Sequence, residues 1–365
     1  MPKAGALFLT KWEIIGGKNV QKSFGTKSIG EFKGRSYNLN LLKFIAAVLV
    51  VFSHAYGITG HGDDPMMWLS RGQMSFGGFA VAIFFFASGF YVTKSLLAKK
   101  TGKQYFKARI ERLYPAFFVA LLLTAFVLGP IVSECSVGTY FTSAQTYTYF
   151  LYLLMIPKYT LPGVFAHNPV QFIVNASLWT MVLEAICYIG LFVAYKLHLL
   201  EKKNLKKINI LVLLAIAVTF GVKPQMIYQF HTYLRPLFIF IIGMEMYVFR
   251  DSIRMDWKWG LGCLVLAVPL FALGYSDLFM ISGFVYLLSL VVFSQKQISE
   301  KIGKLGNYSY AMYLTAFPIQ QTLVCYMPGM SVLANTALTF VINVLAAVLI
   351  YHLVEVPCTK WLSKK

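Results

Sequence analysis

The chain has 365 residues, of which 58% are hydrophobic and only 13% charged, with a net charge of +19 and a mean hydropathy of +0.65. Soluble domains carry about 25% charged residues, so a soluble core is excluded and the fold class is all-α, a polytopic membrane helix bundle. The basic residues form no single patch but sit in short connections between apolar runs, a topology signal that excludes nucleic acid as a partner.

Residues 1–38 contain no apolar stretch of the kind a cleavable signal peptide needs, and they hold seven Lys or Arg. They read as a basic cytoplasmic tail, partly disordered or lying on the surface. Ten spanning candidates follow at about 39–58, 76–97, 114–133, 178–199, 208–222, 233–250, 259–274, 278–294, 306–325 and 336–356. The fifth, seventh and eighth are short enough to be tilted or half-buried against neighbours. A transmembrane domain over 39–361 and a short cytoplasmic tail over 362–365 complete the chain, with no internal repeat.

Lys and Arg set the orientation. The tail and every second connection, with the C-terminus, hold 28 of them, against three in the alternate connections: Arg71, Lys158 and Lys223. The expectation is ten spans with both termini cytoplasmic. Of the outward segments, 59–75 holds His61, Asp63 and Asp64. The other, 134–177, contains Tyr147, Tyr149 and Tyr152, a run expected along the membrane interface. Cys135, Cys187, Cys263, Cys325 and Cys358 have no disulfide or metal spacing and read as core or interface thiols, so no metal site is expected.

Polar residues inside the apolar segments are the candidates for chemistry. Lys43 and His54 are eleven residues apart, almost a whole number of helical turns, and so share one face about 16 Å apart in rise. Such a pair marks a water-filled cavity or substrate path, unless Lys43 merely snorkels and His54 sits at the far interface. A histidine there can act as general base on a hydroxyl. Arg109 and Arg112, three apart before the third span, suit a phosphate or pyrophosphate; flanking charge is the plain alternative. Ser177, Thr180, Glu184 and Tyr188 form one polar stripe on the fourth span, and Glu184 lies at membrane depth. The alternative there is a structural seam between helices.

Weaker signals are Ser88-Gly89, which suits close helix packing, and Asn307, Tyr310, Gln320 and Gln321 in span nine. Arg235 and Glu245 lie on different faces and are not expected to pair. Glu355-Val-Pro reads as a helix end.

These stretches together resemble the acyltransferase-3 family of bacterial membrane O-acyltransferases, from Arg35 to Trp361. The basic residue, ten residues and histidine of its first helix match Lys43 to His54. Its Arg-x-x-Arg matches Arg109 and Arg112. Its Ser-Leu-Trp-Thr with later Glu and Tyr matches Ser177 to Thr180, Glu184 and Tyr188, and its late Gly-x-x-Ser-Tyr-x-x-Tyr-Leu matches Gly306 to Leu314. Many members carry a histidine where this chain has Ala316, so that residue's role does not transfer. The chain also lacks the extra outward esterase-like domain of longer members.

The resemblance implies transfer of an acyl group, most simply acetyl, from acyl-CoA to a hydroxyl of a lipid-linked or surface polysaccharide at the bacterial cytoplasmic (inner) membrane. Acyl-CoA is a co-substrate, with no cofactor bound permanently. Arg109, Arg112 and Lys43 would hold the donor. His54 would deprotonate the hydroxyl with Glu184 orienting His54 or stabilising its imidazolium, and Ser177, Trp179 or Tyr188 would stabilise the oxyanion. The rival readings are a proton-coupled transporter or flippase with His54 and Glu184 as relay, an acyltransferase with a small cytoplasmic acceptor, and a structural subunit.

Overall fold

A computed structural model of the chain describes residues 27–98, 101–221 and 228–362. Most of the expected N-terminal tail, residues 1–26, and the last residues 363–365 lie outside the described residues. Among the described residues, ten long helices make up the bundle: α1 Tyr37–Ile58, α2 Phe76–Ala98, α3 Gly102–Val132, α4 Ala176–Lys196, α5 Lys202–Gly221, α6 Tyr228–Val248, α7 Trp257–Ala272, α8 Ser276–Val292, α9 Ser309–Tyr326 and α10 Val332–Trp361. Each overlaps one apolar segment expected from the sequence. Among the described residues, five of them (α1, α2, α3, α4 and α10) are long and apolar enough to cross a membrane. Of the remainder, α7 and α8 are short, and Gln320 and Gln321 lower the hydropathy of α9.

Local chemistry starts the helices where they start. Ser36 caps α1 by accepting from Leu39 N, Thr101 caps α3 through Gln104 N, Asp256 caps α7 through Lys258 N and Ser331 caps α10 through Ala334 N. Single π turns at 124–128, 280–284 and 351–355 let α3, α8 and α10 run on through a local irregularity. Glu355 therefore lies inside a continuous helix. The helix end expected there is absent because Pro357 falls in the first turn after the π turn, where its missing N–H costs little.

Small residues decide the tightest packing. A Cβ on Gly89 would meet the Phe240 carbonyl oxygen at 2.1 Å, and one on Gly243 would meet the Phe86 carbonyl oxygen at 2.6 Å, so α2 and α6 touch backbone to backbone. A Cβ on Gly306 would meet the Asn40 carbonyl oxygen at 2.1 Å, which seats the start of α9 against α1. Side-chain amides pin the other end of α9. Gln320 donates to Val51 O at 2.8 Å, and Gln321 donates to Val170 O at 2.7 Å and Ile173 O at 2.8 Å. The five cysteines are free.

The connections gather at two ends. At one end β1 (Lys27–Ser28) pairs antiparallel with β2 (Arg254–Met255), and Ser28 with Glu31 closes a capping box. Arg35 donates to Asn307 at 2.8 Å, and Asn38 binds the 291–298 connection. The last part of the tail is thus docked by backbone pairing, where the sequence led us to expect a loose extension. At the opposite end Gln73 donates to Gly274 O, Asn168 donates to Gln321 O at 2.8 Å, and Ser133 bridges Val164.

The aromatic run of the 134–177 segment departs from expectation. Tyr147 is exposed, but Tyr149 and Tyr152 are 1% and 0% exposed. They lie on a 3₁₀ turn, Tyr149–Leu154, whose three-residue period stacks them on one inward face.

Candidate active site

Two cavities follow one another along α1. The first, about 370 Å³, is lined by Arg35, Asn40, Lys43, Ser88, Arg112 and Glu184, with other residues of α1–α4 and α9. The second, about 200 Å³, is lined by Ser53, His54, Gln73, Trp179 and Arg235 with their neighbours. Lys43 and His54 share a side of α1, as their spacing predicts, and open into different cavities.

The first cavity is electropositive. Arg35, Lys43 and Arg112 border it, against one carboxylate, Glu184. Glu184 is held by Ser88, whose hydroxyl donates to Oε1 at 3.1 Å, and by the Tyr188 hydroxyl. The Nδ2 of Asn40, which is 5% exposed, has no hydrogen-bond partner among the described residues. A buried donor left without a partner costs about 1–3 kcal/mol unless something else in the cavity accepts it. Three cations and a free amide suit a polyanionic ligand with oxygen acceptors.

Arg109 and Arg112 part company. Arg112 lines the cavity. Arg109 turns away from it, donating to Ser95 Oγ at 3.0 Å and lying over the rings of Tyr105 at 5.7 Å and Tyr188 at 5.9 Å. Three residues along a helix is 300°, so the two side chains diverge by about 60°, enough to put one in the cavity and one behind its wall. Tyr188 also lies behind the wall, with its hydroxyl on Glu184 and Ser88.

In the second cavity His54 Nδ1 lies 3.5 Å from Ser177 Oγ, and the edge of the Phe317 ring meets the imidazole at 5.3 Å between centroids. Ala316, at the position of the missing family histidine, is fully buried beside Phe317. Trp179 packs edge-on against Tyr233 at 5.2 Å. Ser53 donates to Asp64 at 2.5 Å, and Asp64 also accepts from the backbone N–H groups of Met66, Met67 and Phe76, which folds the 59–75 segment onto the end of α1. Nearby, Arg235 Nε donates to Asp277 Oδ1 at 2.5 Å and Nη2 donates to Gln73 O at 2.7 Å.

The structure places Glu184 and His54 on the linings of different cavities. Glu184 is seven residues beyond Ser177, about 10 Å further along α4, and it lines the other cavity. Spacing along one helix gave the face but not the depth at which a neighbouring helix is met.

Val81 and Tyr313 are the two residues that line both cavities. The Tyr313 hydroxyl donates to Ser177 O at 2.7 Å and pairs with Thr180 Oγ1 at 2.7 Å, which fixes the ring between the cavities. Its ring also meets Phe84 edge-on at 5.8 Å. Tyr313 was part of a motif in the sequence without an assigned role. Asp277 and Gln73 were missed altogether. One signal existed for the first of them: Arg235 and Asp277 both fall near the outward ends of their expected spans, at matching depth with opposite charge. As the sequence predicts, Arg235 does not pair with Glu245, which accepts from Asn209 at 3.2 Å.

A family model described as an acyltransferase domain matches residues 36–352. The chain is similar to an O-acetyl transferase of Shigella phage Sf6, at 27% identity over 298 residues, which covers 77% of this chain and 84% of that protein. It is also similar to nodulation protein 10 of Rhizobium leguminosarum bv. viciae, at 31% identity over 167 residues, which covers 43% of this chain and 44% of that protein. No solved structure matches.

Proposed function

The chain belongs to the acyltransferase-3 family, and on that premise we propose that it moves an acetyl group from acetyl-CoA across the wall between its two cavities to a hydroxyl of a lipid-linked or surface polysaccharide. It does so as a ten-span protein of the bacterial inner membrane with both termini in the cytoplasm. The loop charges support that orientation. So does the docking of the tail on connections that the charge count also places inside.

The single observation that carries the reading is the shared wall of Val81 and Tyr313. A donor in the first cavity and an acceptor in the second can meet only there. Acetyl-CoA is polyanionic at its nucleotide end and thin along its pantetheine arm. Arg35, Lys43 and Arg112 complement its phosphates, and the arm reaches inward past Glu184 to put the thioester carbonyl at the wall.

His54 acts from the other side. With Nδ1 turned toward Ser177, Nε2 is the nitrogen left for the acceptor hydroxyl. His54 takes the hydroxyl proton as the oxygen attacks the thioester carbonyl carbon. The carbon–sulfur bond then breaks, and the CoA thiolate leaves with that proton. Ser177 and Trp179 are the candidate donors to the oxyanion. Glu184 and Tyr188 belong to the donor cavity, where the carboxylate balances part of the cationic lining, and Arg109 braces that wall from behind.

A transporter reading would use the same two cavities and the same wall, with His54 and Glu184 as a proton relay. The separation of those two residues weighs against it. The test is purified protein in detergent with acetyl-CoA and no gradient. The acyltransferase releases CoA thiol when source-cell membranes are added as acceptor, and a transporter releases none.

A further inference from the structure

The second cavity differs from the first in charge. Among the described residues, Arg235 is the one permanently charged residue on its lining. It is already compensated, since Arg235 and Asp277 are 6% and 2% exposed and joined through Nε and Oδ1. A second carboxylate, Asp64, lies just behind Ser53. Among the described residues the lining of this cavity therefore carries no excess positive charge, whereas the first has three cations to one carboxylate.

A buried ion pair contributes little to stability by itself, because removing both charges from water costs several kcal/mol per ion. What the pair does supply is a guanidinium fixed in direction. Nε is taken by Asp277 and one Nη2 hydrogen by Gln73 O, while Nη1 has, among the described residues, the Met74 sulfur at 3.3 Å, a weak acceptor. Gly78 makes room at that nitrogen, since a Cβ there would lie 3.1 Å from Nη1. Trp179 adds an aromatic face on the same lining, and Ser53 and Ser75 add hydroxyls. An aromatic face beside hydroxyls and a guanidinium nitrogen with only a weak acceptor is the chemistry that binds a sugar ring.

We propose that this cavity is the acceptor subsite, that it takes an uncharged pyranose, and that Arg235, positioned by Asp277 and Gln73, is its specificity-determining residue. The proposal rests on the acyltransferase reading above and adds the class of sugar to it. A uronate or a phosphorylated sugar would bring an anion to a site whose cation is already neutralised by Asp277 and which has a second carboxylate, Asp64, behind Ser53. That mismatch rejects it. Arg235 then orders the ring so that one hydroxyl faces His54 and the wall.

The experiment uses the full chain in its own membranes with labelled acetyl-CoA, followed by hydrolysis of the glycan and mass spectrometry of the labelled monosaccharide. The expected product is an acetylated neutral sugar; label on a uronic acid, a phosphorylated sugar or an amine overturns the proposal while leaving the acyltransferase reading standing. Absence of any labelled glycan from the folded parent chain overturns both. In parallel, Arg235→Lys keeps the cation and removes the fork. It is expected to raise the acceptor KM about tenfold or more, the loss of one charge-assisted hydrogen bond, with the acetyl-CoA KM changed by less than about twofold. An equal change in both constants, or a lower yield of folded protein with unchanged constants, assigns Arg235 a structural role and overturns the specificity claim.

Discussion

Tyr313 on α9 and Val81 on α2 stand between the two cavities, and the Tyr313 hydroxyl is tied to Ser177 O and Thr180 Oγ1, both at 2.7 Å. A ring held at its tip is a fixed partition, so its removal has consequences of two kinds. Tyr313→Phe keeps the partition and removes the hydroxyl from Ser177 O and Thr180 Oγ1, which keep their 3.3 Å bond to each other, at a cost of about 0.5–1.5 kcal/mol in stability. Tyr313→Ala opens the wall and admits water from the acceptor side. Thiol release from acetyl-CoA without any acceptor should then rise, while transfer to glycan falls. Measuring the two rates in the same preparation checks this, and an unchanged ratio contradicts the partition.

The two arginines of the Arg-x-x-Arg motif should separate kinetically. Arg112→Ala removes a cavity cation and should raise the acetyl-CoA KM about tenfold or more, with the effect shrinking as salt is raised. Arg109→Ala removes a cation lying over Tyr105 and Tyr188 and should chiefly lower thermal stability in detergent. Equal KM effects of the two would mean that both side chains reach the donor.

That contrast also marks how far the residues could be read in advance. Periodicity placed Lys43 and His54 on one side of α1, and loop charge chose which lay inward, because both properties are local to a segment. Which cavity each residue reaches depends on where α2, α4 and α9 cross α1. For α9 the crossing is set by the contact of Gly306 on Asn40, which no spacing within one helix reveals. The same limit hid the depth of Glu184. Asp277 and Gln73 come from chain outside the motifs and enter the site only through the pair with Arg235.

Glycine substitutions test the packing that sets those depths. Gly89→Ala and Gly243→Ala force apart two backbones in contact and should cost about 1–3 kcal/mol each, read as a lower melting temperature in detergent. Gly57→Ala has nothing within 4 Å of the new methyl and should be neutral or slightly stabilising. Equal melting temperatures for all three would contradict the close approach of α2 and α6.

The buried pair gives a separate stability signature. Asp277→Ala strands the Arg235 guanidinium and should cost about 3–5 kcal/mol, whereas Arg235→Met with Asp277→Leu removes both charges and should recover most of that loss. Thermal melts of the singles and the double give the coupling; simple additivity would show that the pair is not a unit.

His54 carries the central claim, and one measurement reaches it most directly. Membranes containing His54→Ala are given labelled acetyl-CoA beside the parent chain, and glycan labelling and the acetyl-CoA KM are both recorded. Loss of a general base predicts transfer slower by about 10²–10⁴-fold. The acetyl-CoA KM should stay unchanged, because His54 lines the cavity opposite the donor. Transfer by His54→Ala as fast as by the parent chain would contradict the account.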